Sequence, residues 1–345
     1  MMRGHACTSV RDKRAASRVS DFEQLVRASR LYYELGETQN AIAARLGVTR
    51  PQVSRLLKTA RAEGIVEIRI VDRTAVESPA AGVLRARFGL DAVHLAPTIV
   101  GPDDLTRRMV GRLAAEVLRG ALRDGATVGI GDGASVSAAA AALEDTATPV
   151  AVTVVPLCGG YWSTGQEREP YRRVAEALDG QARGLMSPGL VDDAVTRRAL
   201  VAHAGVRAII DLWGRLDVAL YGIGGPAWSV ARVGEPIERE LEEAEAVGEV
   251  LVAPFDLDGR FVCPALRERV IAFAARGLDG VPVSIGIASG EGKVRPILGA
   301  LRAGVVGTLV TDVATAEAVV ALDDAAPRSA IRAVRPQAAP AGDAR

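Results

Sequence analysis

The chain has 345 residues, of which 49% are hydrophobic and 24% are charged, so it is long enough for about two globular domains and is neither disordered nor fibrous. No segment approaches 18 consecutive apolar residues, and residues 1–20 lack the apolar stretch of a signal peptide, so we expect a cytoplasmic protein without a membrane partner. The three cysteines and three histidines are far apart in the sequence, so we expect no disulfide framework, no metal site and no cofactor.

The net charge of zero conceals an uneven distribution. Residues 1–70 hold 13 Lys and Arg against 7 Asp and Glu, a net charge of +6, so the remainder carries −6. A basic N-terminal part on an acidic body is typical of a protein that binds a polyanion at one end. We interpret residues 1–20, which are polar, basic and without periodicity, as a disordered arm.

The next segment has the pattern of a helix-turn-helix. From Asp21, apolar residues spaced by three and four predict a helix that Gly36 ends. Two short apolar stripes follow on either side of Gly47, namely Ile42, Ala43 and Leu46, then Val53, Leu56, Leu57 and Ala60. Two helices joined by so tight a turn must cross steeply, and a small residue at position 43 lets them approach closely.

The second of these helices has a polar and basic face. With Pro51 in its first turn, its exposed side carries Thr49, Arg50, Gln52, Ser54, Arg55 and Lys58. Arg can bond to guanine and Gln to adenine, while Ser, Thr and Lys can hold phosphates. The alternative is a helical hairpin whose basic face is merely solvated. The apolar spacing and the charge of +6 together favour DNA binding.

The domain boundaries follow from changes in periodicity. Residues 65–71 alternate between apolar and charged side chains and are predicted to form a strand, packed as a short wing beside the helices. We place a winged helix-turn-helix domain at 21–72 and a linker without periodicity at 73–82. An effector-binding and oligomerisation domain is expected at 83–324, followed by a tail at 325–345.

The larger domain alternates between predicted strands and helices. The strands are expected at 92–96, 126–131, 150–157, 217–224, 281–289 and 305–312. The helices are expected at 103–122, 135–143, 193–203, 293–303 and 313–322. Several strands are apolar throughout, as strands covered on both faces are, so the pattern predicts a mostly parallel, doubly wound α/β sheet. Ligands of such sheets bind beyond the carboxyl ends of the strands.

Two strand-ending loops have the form of an anion site. One strand ends in Gly131-Asp132-Gly133-Ala134-Ser135, where helix amides and a hydroxyl can meet an anion. A second loop places Lys293, the only lysine after residue 58, at a helix start, where the helix dipole disfavours a cation unless an anion is present. The alternatives are an ordinary glycine turn and a solvated lysine, but the two loops together favour a phosphate site.

Two further strand ends carry candidate ligand contacts. Gly224 lies at the end of the glycine-rich strand 217–224, and Asp256 lies in the segment PFDLDGRF. A carboxylate there can accept hydrogen bonds from sugar hydroxyls. For Asp258, which precedes a glycine, a plain hairpin turn is the more ordinary interpretation.

The sequence QNAIAARLGVTRPQVSRLLKTARAEGIVEI resembles the helix-turn-helix of the SorC family of bacterial transcriptional regulators. The body is similar to that family in the order of its motifs, which are 129–135, Pro156-Leu157-Cys158-Gly159-Gly160, 217–224, 255–259, Lys293 with Ala300-Leu301-Arg302, and 309–312. The resemblance covers about residues 21–324. It implies a sugar-phosphate-binding domain related to glucosamine-6-phosphate deaminases and ribose-5-phosphate isomerases.

The resemblance also implies roles and partners. The residues that it assigns to the effector are Gly131, Gly133, Ala134, Ser135, Gly224, Asp256 and Lys293. Ser135 stands where the family usually has Thr and keeps the hydroxyl. The implied partners are operator DNA, a sugar-phosphate effector and further copies of the chain. A dimer or tetramer with two-fold symmetry is expected because one helix-turn-helix reads only a short half-site.

Two functions remain open at this point. The first is an effector-controlled transcriptional regulator without catalytic residues, and the second is a sugar-phosphate isomerase or deaminase with an appended DNA-binding module. In the related deaminases the strand end runs into Asp-Gly-His, whereas residues 222–228 here contain no histidine and His203 is the nearest. Because proton transfer near neutral pH most often uses His, the sequence favours the regulator over the enzyme.

Overall fold

The structure, a computed structural model, describes residues 22–66, 78–99, 103–144, 149–160, 169–225 and 235–326. The chain divides into two units, Met1–Thr74 and Ala75–Arg345, so the boundary falls inside the predicted linker 73–82. The predicted arm at 1–20 and nearly all of the tail at 325–345 lie outside the described residues.

The first unit contains the predicted helix-turn-helix. Helix α1 spans residues 22–29 and continues as a π-helical turn over Arg30–Glu34. Helices α2, Gln39–Leu46, and α3, Arg50–Ala62, follow. Their shared core consists of Ala28, Leu31, Ile42, Ala43, Val53 and Leu57. These are largely the residues that the apolar stripes predicted to face inward.

The turn between α2 and α3 has the expected geometry. Gly47 has φ +67°, a left-handed conformation that glycine adopts without steric cost, and the Val48 amide donates to the Ala43 carbonyl at 3.0 Å. The predicted wing strand does not begin at residue 65, because the amides of Ile65 and Val66 still bond to the Ala60 carbonyl. The rest of the wing, from residue 67, lies outside the described residues.

The second unit begins with a helix that the sequence analysis assigned in part to the linker. Helix α4 spans Pro79–Phe88. The Ser78 hydroxyl accepts a hydrogen bond from the Ala80 amide at 3.2 Å, and Pro79 fills the first helical position, where no amide donor is needed. Leu84 is fully buried, so α4 belongs to the folded domain.

A seven-stranded parallel sheet forms the centre of the second unit. Its strands are β1 Ala92–Ala96, β2 Thr127–Ile130, β3 Thr153–Pro156, β4 Gln181–Ala182, β5 Val218–Gly222, β8 Val283–Ile287 and β9 Thr308–Asp312. Their order in the sheet is β1-β9-β8-β5-β2-β3-β4, and every pairing is parallel. A separate antiparallel hairpin consists of β6 Gly248–Val250 and β7 Ala253–Phe255.

Helices cover both faces of the sheet, which confirms the doubly wound α/β prediction. The remaining helices are α5 Asp103–Ala121, α6 Ala134–Glu144, α7 Pro170–Ala177, α8 Ala194–Ala202, α9 Ala204–Trp213, α10 Glu235–Glu243, α11 Pro264–Arg267, α12 Val294–Arg302 and α13 Val313–Ala325. One apolar cluster includes α5, α6 and α7, and the other includes α4, α9, α12 and α13. On β5, Leu220 belongs to the first cluster and Tyr221 to the second, so the strand is buried on both faces.

The strand order reverses between β2 and β5. From β2 the chain proceeds outward to β3 and β4, then returns to the other side of β2 with β5, β8 and β9. Doubly wound sheets bind ligands in the crevice at the carboxyl ends of the strands where this reversal occurs. Here those ends lead into the Gly131–Gly133 loop and into Gly224 and Gly225.

Candidate functional site

The loop after β2, which sequence analysis identified as an anion site, joins β2 to the start of α6. The Gly131 amide donates to the Leu220 carbonyl of β5 at 2.7 Å, and a methyl group added at Gly131 would lie 3.1 Å from the Cα atom of Tyr221. Gly133 has φ +115°, a conformation that other residues rarely adopt. Its amide donates to the Asp132 carboxylate at 2.7 Å. The loop therefore delivers the chain into α6, whose first amides have no partner within the helix.

The end of β5 lies against both neighbouring loops. A methyl group added at Gly222 would lie 3.3 Å from the Asp132 carbonyl oxygen, and one added at Gly225 would lie 3.8 Å from Lys293 Nζ. The Lys293 ammonium group thus lies near Gly225, three residues beyond the end of β5, and the glycine loop lies near Gly222 at the end of the strand. The two loops that the sequence analysis combined into one phosphate site thus both border residues 222–225.

Lys293 is half-buried and has a carboxylate nearby. Burial lowers its pKa, and the negative charge of Glu249 acts in the opposite direction. Glu249 belongs to β6, is only 3% exposed, and forms an isolated antiparallel bridge with Gly224. The sequence analysis missed Glu249, because nothing in the local sequence indicates that it faces a lysine 44 positions away.

The turn that carries Lys293 is fixed by the neighbouring strand. The Gly290 amide donates to Asp312 Oδ2 at 3.3 Å and to Thr315 Oγ1 at 2.9 Å. The Lys293 amide donates to the Gly290 carbonyl at 2.9 Å, which closes a 3₁₀ turn over Glu291–Lys293 just before α12. Lys293 therefore lies at a helix start, as predicted.

Asp256 lies in a turn beside α12, away from the other residues that the resemblance assigns to the effector. Its carboxylate accepts a hydrogen bond from the Arg260 amide at 2.8 Å, within a turn where Gly259 has φ +83°. This turn packs on the C-terminal half of α12, since a methyl group at Gly299 would lie 2.9 Å from the Asp256 carbonyl oxygen. Gly299 is six residues beyond Lys293, or about 9 Å along a helix. The plain turn considered for Asp258 is present.

A cleft of about 1720 Å³ lies beside the glycine loop. It is lined by Gly131, Gly133 and Ala134 of the predicted site, whereas Ser135, Gly224, Asp256 and Lys293 are not among its lining residues. Its lining also includes charged residues of α5 that were not predicted, namely Arg107, Arg108 and Arg112 together with Asp104. Arg107 and Arg108 both contact the Asp104 carboxylate, at 2.9 and 2.8 Å. The available signal was the spacing of Arg108 and Arg112, four positions apart on one helix with Arg107 beside them.

The predicted DNA-binding face lies on the surface of α3. All six predicted residues are exposed, while Val53 and Leu57 on the other side of the helix are buried. Gln52 Oε1 accepts hydrogen bonds from the amide and hydroxyl of Thr49, at 2.8 and 2.9 Å. These two side chains thus also fix the start of α3, and the Gln52 N–H donors take no part in those bonds.

Comparison with known proteins identifies both units. A family model described as "Putative sugar-binding domain" matches residues 77–321, and one described as a Crp-like helix-turn-helix domain matches residues 16–79. The chain is 29% identical to the sorbitol operon regulator of Klebsiella pneumoniae over 86% of this chain and 97% of that protein. It is 30% identical to the deoxyribonucleoside regulator of Bacillus subtilis over 86% of this chain and 96% of that protein.

The fold agrees with these matches. The crystal structure of the full-length Klebsiella pneumoniae regulator SorC superposes with a TM-score of 0.69 at 29% identity, covering 87% of this chain and 98% of that one. A sugar-binding domain from a Vibrio fischeri repressor superposes with a TM-score of 0.65 at 26% identity, covering 71% and 98%. This chain belongs to the SorC family.

Membership of the SorC family makes the chain a transcriptional regulator with a helix-turn-helix and a sugar-binding domain. The relatives named above carry the names of regulators. None of the helices in the described ranges is long and apolar enough to cross a membrane.

Proposed function

We propose that this SorC-family protein binds operator DNA through α3 and that a phosphorylated sugar, bound at the carboxyl ends of β2 and β5, controls that binding. The observation that carries the proposal is the position of Lys293, whose ammonium group lies near Gly225 in the segment after β5, while the glycine loop approaches Gly222 at the end of the same strand. Two loops that are more than 150 residues apart in sequence supply complementary features for one anion, namely helix amides and a cation.

The charge of the site suits a phosphate monoester. Lys293 is half-buried at a helix start, and both features disfavour its positive charge in the absence of an anion. The negative charge of Glu249 offsets part of the cost of burying the Lys293 charge. The free amide groups at the start of α6 still need a hydrogen-bond acceptor. A phosphate can accept hydrogen bonds both from these amide groups and from the Lys293 ammonium group. Within the proposed site, Gly131, Gly133, Ala134 and Ser135 face the phosphate together with Lys293.

The sugar moiety is proposed to extend into the cleft. The cleft begins at the glycine loop and is walled by polar and charged side chains, including Arg112 of α5, Arg173 of α7 and Glu169 just before α7. Side chains of this kind form hydrogen bonds with sugar hydroxyls. The assignment of Gly224 and Asp256 to the effector stays a prediction. For Asp256 it requires the ligand to reach the middle of α12.

We also propose that the protein acts as a homo-oligomer in the cytoplasm. A single α3 reads only a few base pairs, and regulators of this kind bind two half-sites with a two-fold-symmetric assembly. Named relatives of this chain regulate a sorbitol operon or respond to deoxyribonucleosides, which favours a sugar or a sugar derivative as the regulatory ligand.

Catalysis is not part of the proposal. Among the described residues, His94 lies within β1 and His203 accepts a hydrogen bond from the Gly205 amide at the start of α9. Neither is placed at the end of β2 or β5. Cys158 lines the cleft, but burial and the negative charge of Asp132 raise its pKa, so its thiol stays protonated and is a poor nucleophile.

A thermal-shift screen tests the proposal. Sugar phosphates, the corresponding free sugars and inorganic phosphate are added separately to the full-length protein. A ligand at 100 times its dissociation constant adds about 2.7 kcal/mol of stability, a readily measured shift. Stabilisation by a sugar phosphate at concentrations where the free sugar has no effect supports the phosphate site. Stabilisation by the free sugar alone contradicts it, and turnover of the stabilising compound supports the enzyme alternative instead.

A further inference from the structure

The side-chain oxygen of Gln52 is occupied by the start of its own helix. Gln52 Oε1 accepts one hydrogen bond from the Thr49 backbone amide at 2.8 Å and another from the Thr49 hydroxyl at 2.9 Å. These bonds are part of the capping box that begins α3. A carboxamide oxygen has two lone pairs, so both acceptor positions of Gln52 are taken before DNA binds.

The orientation of the Gln52 carboxamide follows from the chemistry of its partner. The Thr49 backbone amide can only donate, so the side-chain atom that lies 2.8 Å from its nitrogen must be the oxygen. The two N–H groups of Gln52 Nε2 take no part in the bonds to Thr49. Gln52 is exposed and lies three positions before Arg55, on the same side of α3. Gln52 therefore brings donors, and no acceptor, to the predicted DNA-binding face.

The four bases differ in how they suit a group that can only donate. In its usual pairing with adenine, Gln donates to N7 and accepts from the N6 amino group. Gln52 lacks the acceptor for that second bond. Cytosine shows only a donor in the major groove, and thymine shows one acceptor beside a methyl group. Guanine shows two adjacent acceptors, N7 and O6, and is the base that best fits two N–H donors.

We propose, on the basis of the proposed role of α3 in operator binding, that Gln52 selects guanine at one operator position. Gln52 Nε2 donates to N7 and O6 of that guanine. Thr49 is a positioning residue, because it holds the Gln52 oxygen and leaves only the donors to the base. To read adenine instead, Gln52 has to release both bonds to Thr49, and α3 then loses that part of its capping box.

Selection of binding sites from a random DNA duplex by the full-length protein locates the base that Gln52 reads. Gln52→Glu keeps an oxygen for both bonds to Thr49 but has no N–H donor. It is expected to lose the preference for guanine at one position and to keep the preferences at the other positions. Binding to random DNA measures the general repulsion between the new carboxylate and the phosphates, and circular dichroism confirms that each variant is folded.

Fluorescence anisotropy with 7-deazaguanine, which lacks N7, at that position tests the contact itself. The wild type is expected to lose about 2- to 12-fold in affinity, the contribution of one neutral hydrogen bond, and Gln52→Glu is expected to lose nothing. The same analogue at another guanine of the selected site is the control and should affect both proteins equally. Thr49→Ala frees one acceptor position of Gln52 and is expected to lower the ratio of guanine to adenine affinity, whereas Thr49→Ser should keep the ratio.

Three results overturn the assignment of guanine to Gln52. They are an unchanged site preference in Gln52→Glu, a Gln52-dependent position that reads adenine, and equal losses with 7-deazaguanine in the wild type and Gln52→Glu. A wild-type ratio in Thr49→Ala overturns the role of Thr49. If the wild type selects no sequence at all, sequence reading by α3 fails together with this assignment, whereas a selected site with a Gln52-dependent adenine contradicts the assignment alone.

Discussion

Gly224 and Glu249 exchange two backbone hydrogen bonds, with N···O distances of 2.9 and 3.1 Å. This pairing attaches the β6–β7 hairpin to the end of β5 and places the buried Glu249 carboxylate within electrostatic reach of Lys293. Burial and Glu249 act on the pKa of Lys293 in opposite directions, and burial has the larger effect. The negative charge of Glu249 thus offsets part of the cost of burying the cation of the proposed phosphate site.

The pH dependence of effector binding is expected to reflect this balance. A phosphate monoester becomes a dianion near pH 6, so affinity rises to about pH 7. The bound anion favours protonated Lys293 and raises its pKa. Affinity therefore falls as the pH rises from the pKa of Lys293 in the free protein towards its higher pKa in the complex. Because burial lowers the first of these values, the decline begins below the ordinary lysine pKa of about 10.4.

Isothermal titration calorimetry between pH 6 and 10 measures this decline. Glu249→Gln removes the charge that raises the pKa of Lys293, so the decline is expected to start at lower pH. Lys293→Met is the control and is expected to lack the decline. Equal pH profiles for the wild type and Lys293→Met would show that Lys293 does not contact the phosphate.

Ser135 and Ser137 provide a second test of where the phosphate lies. Ser135 is the predicted contact at the start of α6, whereas Ser137 lines the cleft two positions later. A neutral hydrogen bond contributes about 0.5–1.5 kcal/mol, so Ser135→Ala is expected to weaken effector binding by up to about tenfold. Inorganic phosphate used as a competitor should lose affinity in the same variant. A loss of phosphate affinity in Ser137→Ala alone would move the phosphate into the cleft.

Much of the sheet was predictable because buried parallel strands are continuous apolar runs bounded by glycine or polar residues. The expected strand 126–131 contains the observed β2, Thr127–Ile130, and 217–224 contains β5. The order of the strands was not readable in the same way. The reversal between β2 and β5 depends on pairings between residues about 90 positions apart, such as Val128 with Val218.

The parts that escaped prediction lack local signals. The β6–β7 hairpin turns at Leu251 and Val252, with φ of +50° and +61°, where two-residue turns usually have Asn and Gly. A β-branched residue in that conformation is unusual, so the sequence of the hairpin does not indicate a turn. Without the hairpin, the position of Glu249 could not be predicted either. Helix α4 has little apolar periodicity. Its only signals are Ser78-Pro79 at the start and Gly89 at the end.

Arg55 and Lys58 are expected to make different kinds of contact with DNA, although both lie on the exposed face of α3. If Arg55 bonds to a base, Arg55→Ala costs about 1–3 kcal/mol on the operator and relaxes the preference at one base position. If Lys58 contacts a phosphate, Lys58→Ala weakens binding to all sequences alike and reduces the salt slope by about 1. Fluorescence anisotropy with operator and random DNA at several salt concentrations distinguishes them. Equal losses on both DNAs for Arg55→Ala would assign Arg55 to the backbone.

A buried carboxylate holds the end of α13 in place. Asp323 is almost fully buried and accepts hydrogen bonds from Arg302 at 2.7 Å and from Arg87 at 2.8 Å. Removing one partner of a buried ion pair costs about 3–5 kcal/mol, so Asp323→Ala is expected to lower the free energy of unfolding by about that amount. Asp324, which also contacts Arg87 but is 60% exposed, provides the control. Asp324→Ala should cost less than about 1 kcal/mol in urea unfolding. Equal losses of unfolding free energy in the two variants would mean that the burial of Asp323 does not determine the strength of its ion pairs.

An operator-binding titration of the wild type and Lys293→Ala, each with and without the stabilising sugar phosphate, tests the central claim most directly. A hydrogen bond to a charged group contributes about 1.5–3 kcal/mol, so Lys293→Ala is expected to shift the effector concentration needed for half its influence by about 10- to 150-fold. Operator affinity without effector should stay unchanged, because Lys293 and α3 belong to different units of the chain. An effector response in Lys293→Ala equal to that of the wild type would contradict the account and show that Lys293 does not contact the effector.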